Sequence, residues 1–551
     1  MYLRTIQRRN KDGSTVRYVQ LAHNVRHPGS GNSVAKVLHS FGREDALDRD
    51  GLERLVGSIS RYLGIAGPAS ADGDGEGLSV VSSKRLGGAW ALDGLWRRVG
   101  IDQMMTRLAG GRRFGTDMER VLFALVANRA LEPSSKLAAT TWLAERVAID
   151  GLEVMDADAA YRAMDWLVEI EADLAEAVYW SVADLLNLEV DLLFFDTTST
   201  YFETEQADEP AEGATVGFRT WGKSKDHRDD LPQVVIGMAV TRTGIPIRVW
   251  SWPGNTGDQG LIRQVKDDLR AWKLGRVVWV ADRGFSSAQN RRYLQRAGGN
   301  YIIGEKLRGD SAEAAAALSR QGRYRKVAGN LEVKEVVIDD GTMRDRFVIC
   351  RNPEAVERDR TVRDQLLAQL ADAIEGTDTH DPGDRAALAA KLPAGLRRFL
   401  RTTPTGLLRI DRAKVRVEEN LDGKFLLRTS DPTLSAEDVA VGYKQLLEVE
   451  RGWRDMKSTL ELRPVFHRLE DRIRAHVLLC WLALLLIRIA ETETGDTWRN
   501  LRNTLDQIHL VELAGATGRV LQRSELTSTH TRILAALGVP EPPRFAHVTP
   551  A

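Results

Sequence analysis

Cysteine is nearly missing from this chain: Cys350 and Cys480 are the only two in 551 residues. That excludes a disulfide scaffold and a cysteine-built zinc site, and it suits a reducing cytoplasm. An excess of one charge is missing too. With 77 basic against 77 acidic residues, no global field draws the protein to nucleic acid, so any such attraction has to arise from local imbalance. The longest apolar run, Val477 to Ile487, is 11 residues between His476 and Arg488. It falls short of the ~20 residues that cross a bilayer, and no membrane partner is expected. Met1 to Asn10 is charged and lacks the apolar segment of a signal peptide. Glycine-rich phosphate loops are absent, so ATP use is not indicated. A hydrophobic content of 43% with 28% charged residues describes an ordinary globular chain. Its length fits several domains, or one domain with large insertions.

The most informative stretch is Glu189 to Tyr201, where Leu192-Leu-Phe-Phe195 runs straight into Asp196 and then into hydroxyls. Four continuous apolar residues read as a strand covered on both faces, with Asp196 at the rim of a core. An acid there costs solvation free energy unless a positive or hydrogen-bonding group compensates it. Taken alone, Asp196 reads as a turn cap through Thr198 or Ser199. A second apolar strand, Arg276 to Ala281, also ends on an aspartate, Asp282, followed by Phe285. Between the two aspartates lie the runs Leu231–Val240 and Ile245–Trp250, which read as a hairpin, and a helix over Asp258–Trp272. A helix near Ser286–Arg296 and a strand at Tyr301–Ile303 complete the order β-β-β-α-β-α-β. The expected fold class is therefore α/β, a ribonuclease-H-like mixed sheet flanked by helices.

Around this core the chain divides by composition. Residues 1–64 form a basic β-unit, with eight Lys or Arg against Asp12 alone through residue 43, and are expected to contact DNA. Residues 65–78 are a Gly-rich linker. Residues 79–188 read as a helical domain, with a capping box from Thr116 to Glu119. The core occupies 189–305 and 431–490, interrupted by a β-rich insertion at 306–430. The insertion shows hairpins around Gly341 and around Asp422-Gly423, with Leu407–Val417 as one arm of the second. Its segment from Lys391 to Arg428 holds ten basic residues and four acids and is expected to present a basic surface. Residues 491–551 read as a helical region. Lys223, Lys225, His227 and Arg228 crowd one loop and suggest DNA contact. His467 and His476, among arginines, suggest a phosphate-facing surface.

Ser435 opens what reads as one helix over Ala436–Met456, with Leu446, Val449, Trp453, Met456 and Leu460 as its buried stripe. Tyr443, Glu450 and Lys457 follow at intervals of seven, nearly in line along the edge of that stripe. Taken alone, Glu450 reads as a solvated acid paired with Arg454. Together, Tyr443-x2-Leu446-x3-Glu450-x6-Lys457 resembles the Tyr-x2-Arg-x3-Glu-x6-Lys signature of bacterial insertion-sequence DDE transposases. Asp282-Arg-Gly-Phe285 resembles that family's second-carboxylate motif, and the resemblance covers roughly residues 190–490. It implies Asp196, Asp282 and Glu450 as catalytic, metal-binding carboxylates and Mg2+ as cofactor, with Mn2+ able to substitute. It also implies transposon ends and target DNA as partners, a homodimer in the synaptic complex, and action in the bacterial cytoplasm, on the nucleoid when bound. Tyr443 and Lys457 would touch the DNA backbone, and Phe285 would help manage a displaced base. Leu446 departs from the signature arginine, and Arg451 and Arg454 stand close enough to supply that charge.

The chemistry accounts for the residue types independently of the family. Phosphodiester cleavage needs an activated oxygen and charge neutralisation, which a pair of divalent ions supplies. Hard Mg2+ is served by oxygen ligands, so three carboxylates suffice and histidine or cysteine is unnecessary.

Overall fold

The computed structural model describes residues 2–9, 15–26, 33–47, 52, 56, 78–112, 117–186, 192–270, 272, 276–308, 311–339, 344–515 and 518–550. The expected linker lies almost entirely outside these residues, as does the turn at Gly341. The chain forms two compact units, Met1–Gly77 and Leu78–Ala551.

In the first unit, strands β1 (Tyr2–Arg9), β2 (Thr15–Arg26) and β3 (Ser33–Arg43) pair antiparallel in sequence order. Ala22 is its one fully buried apolar residue among those described, whereas Leu3 is 59% exposed. With so little apolar burial, the ladder and cross-strand contacts such as Arg4 to Gln20 carry much of this sheet.

The second unit is built on a nine-stranded sheet. After β4 (Ser79–Arg85), which belongs to another sheet, come β5 (Leu192–Tyr201), β6 (Gln233–Thr241), β7 (Pro246–Pro253), β8 (Val278–Ala281) and β9 (Asn300–Glu305). Their spatial order is β7-β6-β5-β8-β9. The first three are antiparallel, while β5, β8 and β9 run parallel. This is the ribonuclease-H-like arrangement that the sequence predicts, helices included: Asp258–Arg270 joins β7 to β8, and Ala288–Gln295 joins β8 to β9. Every residue of β6 is buried, as near-continuous apolar character requires.

Apart from one two-stranded ribbon, the strands of the insertion join the core sheet. Strands β10 (Arg325–Ala328), β11 (Leu331–Asp339) and β12 (Arg344–Arg351) extend the core sheet through β15 (Lys424–Thr429), which pairs antiparallel with both β12 and β9. Leu407–Val417 is not a hairpin arm. Only β14 (Leu408–Ile410) is strand, paired with β13 (Leu400–Thr402). The Asp411 carboxylate then accepts from the amides of Ala413 and Lys414 and caps a helix, Arg412–Glu419. Residues 353–422 form a lobe with its own small core of Leu370, Leu392, Leu396, Phe399, Leu400, Leu408 and Val415.

Of the six helices from Gly87 to Leu185, Gly87–Arg98, Met118–Leu131 and Ala157–Glu169 pack against the Glu470–Thr494 helix, and the others pack around these. That helix is long and apolar enough to cross a membrane by length and composition, yet 94% of its most apolar window is buried inside the protein. It is the central core helix. The cap of the Met118–Leu131 helix is Asp117, one residue after the expected Thr116, because its carboxylate accepts from the Arg120 amide. Residues 491–551 are also less helical than expected. Strands β16 (His509–Gly515), β17 (Gly518–Arg523) and β18 (Phe545–Pro550) join β4 in a four-stranded sheet, order β18-β17-β16-β4. The strand pattern there is weak because these strands are half-buried and their partner β4 lies far back in the chain.

Candidate active site

Two parallel strands place the first two acids. The ladder of β5 and β8 runs from Leu192↔Val278 to Phe195↔Ala281, so the next residue on each strand is an aspartate. Asp196 and Asp282 therefore stand abreast at the carboxyl edge of the parallel half, where open α/β sheets bind ligands. The strand does not end at Asp196, as the sequence suggests. It continues to Tyr201 along β6 alone, and Asp196 is the point where β8 leaves it. Thr198 and Ser199 accordingly lie within the strand and are not cap residues. The Ser199 hydroxyl accepts from the Lys225 amide.

Burial pushes the Asp196 carboxyl up to about 6, helped by Asp282 and Asp258 and opposed by Lys225 and the Thr197 amide. Asp258, at the start of its helix, is a fourth carboxylate that sequence reasoning missed. It accepts from the Thr197 hydroxyl at 2.7 Å and pairs with Lys225 at 3.2 Å. The Lys225 ammonium also donates to the Thr197 carbonyl at 2.8 Å, so it faces the acids from below. An acid in the first turn of a helix is ordinarily a dipole partner, and nothing in the sequence marks this one apart.

The third acid comes from across the cavity. The expected single helix is two, Ala436–Lys444 and Leu447–Ser458. Between them the amides of Gln445, Leu446, Glu448 and Val449 bond three residues back. This tighter turn breaks the straight line of Tyr443, Glu450 and Lys457. The stripe from Leu446 to Leu460 is nonetheless buried. Glu450 is exposed and shares with Asp196, Asp282, Tyr443 and Leu446 a cavity of about 350 Å3. Tyr443 donates to Asp282 Oδ1 at 3.2 Å, and burial together with Asp282 raises its hydroxyl pKa.

The donor set is all oxygen, and burial disfavours the charge on Asp196. Asp196, Asp282 and Glu450 thus fit a hard cation in kind. Among the described residues, no three Asp, Glu, His or Cys converge tightly enough to enclose one.

Lys457 pairs with Asp226 at 3.0 Å, not with its sequence neighbours Asp455 or Glu461. Arg451 is engaged by Glu491 at 3.1 Å, while Arg454 is exposed on the same helix. Lys223 and His227 are exposed; Arg228 pairs with Asp230 and lies over the Tyr201 ring. Phe285 is 1% exposed and packs edge-on against Phe195, so it anchors the Asp282 turn and offers no face to a base. His476 is 4% exposed in the central helix, with His467 beside it. The histidines therefore do not make a phosphate-facing surface. Next to Asp282 a groove of about 410 Å3 is lined by Arg283, Lys306, Arg308 and Lys424, cations that sequence reasoning left unassigned.

A ribonuclease-H-like sheet with two acids abreast at its parallel edge defines the class of the catalytic core. More narrowly, the chain belongs to the transposase DDE domain family, whose model matches residues 191–486. The model of the IS1634 family transposase N-terminal domain matches residues 3–71. No curated protein matches the chain. Among solved structures, the piggyBac transposase synaptic complex with hairpin DNA is similar at 10% identity, covering 79% of this chain and 82% of that one, with a TM-score of 0.35.

Proposed function

We propose that this chain is the transposase of an insertion sequence. It binds the terminal inverted repeats of its element, cuts phosphodiesters at the ends and joins the freed 3′ hydroxyls to target DNA. The observation that carries this reading is the pairing of Asp196 and Asp282 on adjacent strand ends, facing Glu450 across one cavity. These three carboxylates would hold Mg2+ once drawn closer together, and Mn2+ would substitute for it. When bound, the ions neutralise phosphate charge and activate the attacking oxygen. The chain's own groups prepare the site. Tyr443 fixes one oxygen of Asp282, and Lys225 tempers the mutual repulsion of Asp196, Asp282 and Asp258. Exposed Arg454 is better placed than engaged Arg451 to stand in for the signature arginine.

Lys223, Lys225, His227, Arg228 and Lys457 grip the backbone, and residues 1–64 add a salt-dependent contact. The working complex is a homodimer on synapsed ends, in the cytoplasm and on the nucleoid. The test is a plasmid carrying the element's two ends, with Mg2+. Asp196→Asn, Asp282→Asn and Glu450→Gln should each reduce cleavage to background while end binding persists, because grip comes from cations elsewhere. Cleavage near the unsubstituted level in any one variant removes that residue from the set. Cleavage without joined product makes the chain a nuclease.

A further inference from the structure

The Lys223–Arg228 loop carries one acid that points the wrong way for a DNA-binding loop. Asp226 faces inward, where its carboxylate meets two cations from another part of the chain. Lys457 Nζ lies 3.0 Å from Oδ1 and 3.2 Å from Oδ2, and Arg463 lies 3.0 Å from Oδ2. The loop is shaped for this. The Ser224 amide donates to Asp229, the Asp226 amide donates to Ser224 Oγ, and His227 takes φ +58°, a left-handed conformation that turns the chain sharply after Asp226.

Two cations share one acid there. Lys225 has Asp258 and Arg228 has Asp230, but Lys457 and Arg463 share a single carboxylate. Burial lowers the Lys457 pKa, and Arg463 and Lys225 add to that effect against Asp226. Asp229 is turned to the Ser224 amide and Asp230 to Arg228, so Asp226 is the one carboxylate within pairing distance of both Lys457 and Arg463 among the described residues. Arg463 and Arg228 both lie over the Tyr201 ring, at 5.0 and 5.1 Å. Tyr201 closes the same strand, β5, that carries Asp196. The cluster is thus tied directly to the catalytic strand. A phosphodiester carries one negative charge on two non-bridging oxygens, which is the charge and acceptor count that Asp226 presents to the two cations.

We propose that Lys457 and Arg463 form a binding site for a backbone phosphodiester, and that Asp226 occupies this site as a surrogate until DNA displaces it. The proposal rests on the transposase reading for its ligand and deepens it. It adds Arg463 to the grip and makes Asp226 a negative element: non-specific DNA has to eject a carboxylate to enter, which only an otherwise well-seated end does readily. The Lys223–Arg228 loop moves with Asp226, and Lys225 with the loop, so entry of the backbone also reaches the acid cluster.

The experiment measures binding of the full chain to a random-sequence duplex and to an end-containing duplex across a range of salt. Asp226→Asn should bind the random duplex about tenfold more tightly at low salt, the scale of one charge-assisted contact. Lys457→Ala and Arg463→Ala should each weaken binding and reduce the slope of log affinity against log salt by about one. In a Lys457→Ala/Arg463→Ala background, the gain from Asp226→Asn should vanish. A gain that persists there comes from net charge and overturns the proposal. So does unchanged or weaker binding by Asp226→Asn with an unchanged melting temperature. If Asp226→Asn melts early, the slopes of the two single cation variants decide, and slopes equal to that of the unsubstituted chain overturn it. Failure of the unsubstituted chain to bind either duplex removes the transposase reading itself; normal binding with no Asp226 effect removes only the surrogate.

Discussion

Gly304 has no side chain, and Tyr443 needs that space: a Cβ at Gly304 would stand 2.4 Å from the Tyr443 hydroxyl. The glycine in β9 is what lets the ring reach Asp282. Gly304→Ala should therefore displace Tyr443 and lower cleavage at least as far as Tyr443→Phe does. Tyr443→Phe should change stability by only about 1 kcal/mol, the net worth of one hydrogen bond. Cleavage rates and thermal melts of the two variants check this, and an alanine variant as active as the unsubstituted chain would show that the ring's position is immaterial. Phe285 behaves oppositely. It fills core space against Phe195, so Phe285→Ala should cost about 3–5 kcal/mol in denaturant titration; a loss below 1 kcal/mol would mean that the ring is not packed as described. Residue by residue, the sequence exposes what is local. Apolar runs ending on acids reveal Asp196 and Asp282, because a buried strand that meets a carboxylate is unusual in one dimension as well as three. It conceals what depends on a cross-chain partner. Phe285 reads as available because Phe195 is far away in sequence, and Asp226 reads as one more loop charge because Lys457 and Arg463 are.

At the scale of elements, the inserted lobe makes the cleanest case. Asn352 donates its amide to the Gly423 carbonyl at 2.7 Å, and Arg351 pairs with Lys424 across β12 and β15. The two ends of the lobe are thus neighbours in a ladder that does not need it, and the lobe has a separate small core. Replacing residues 353–422 by an Asn-Gly turn should leave β12 hairpinned to β15 and the rest of the unit folded, with a loss of helical circular dichroism and a melting temperature within a few degrees of the full chain. Collapse of the melt would show that the lobe supports the sheet. The strand order of the core was legible because each strand there is a saturated apolar run bounded by turn residues. The role of β15 was not. Its pairing with β9 is set by sheet extension across more than a hundred residues, and periodicity carries no information about which distant strand lies alongside.

For the molecule as a whole, acidity should act through a buried basic cluster remote from the carboxylates. Burial, with Arg129 adding to it, lowers the Lys136 ammonium to about 7. Burial, with Lys136 and Arg472 adding to it, lowers His467 to about 4. Each group holds its proton less tightly folded than unfolded. Stability therefore falls as pH drops from the ordinary lysine value to about 7 through Lys136, and again from 6.5 to about 4 through His467. Lys136→Met should raise the melting temperature at pH 7 and flatten the alkaline part of the profile. A melting temperature at or below that of the unsubstituted chain would place the ammonium in a favourable contact instead. A formal net charge of zero says nothing of this, since a balanced total coexists with a local excess. One feature of the whole bears on synthesis. β4 finds its partner β16 only after more than 420 residues have been added, as the contact of Ser79 with Ala514 shows at a separation of 435. Closing so long a loop delays completion of the fold until the last strands leave the ribosome. A copy cut short by a stop codon before residue 509 leaves β4 without its sheet partner. A chain stopped there would thus expose an unpaired sheet edge at Ser79–Arg85, a mark for quality control.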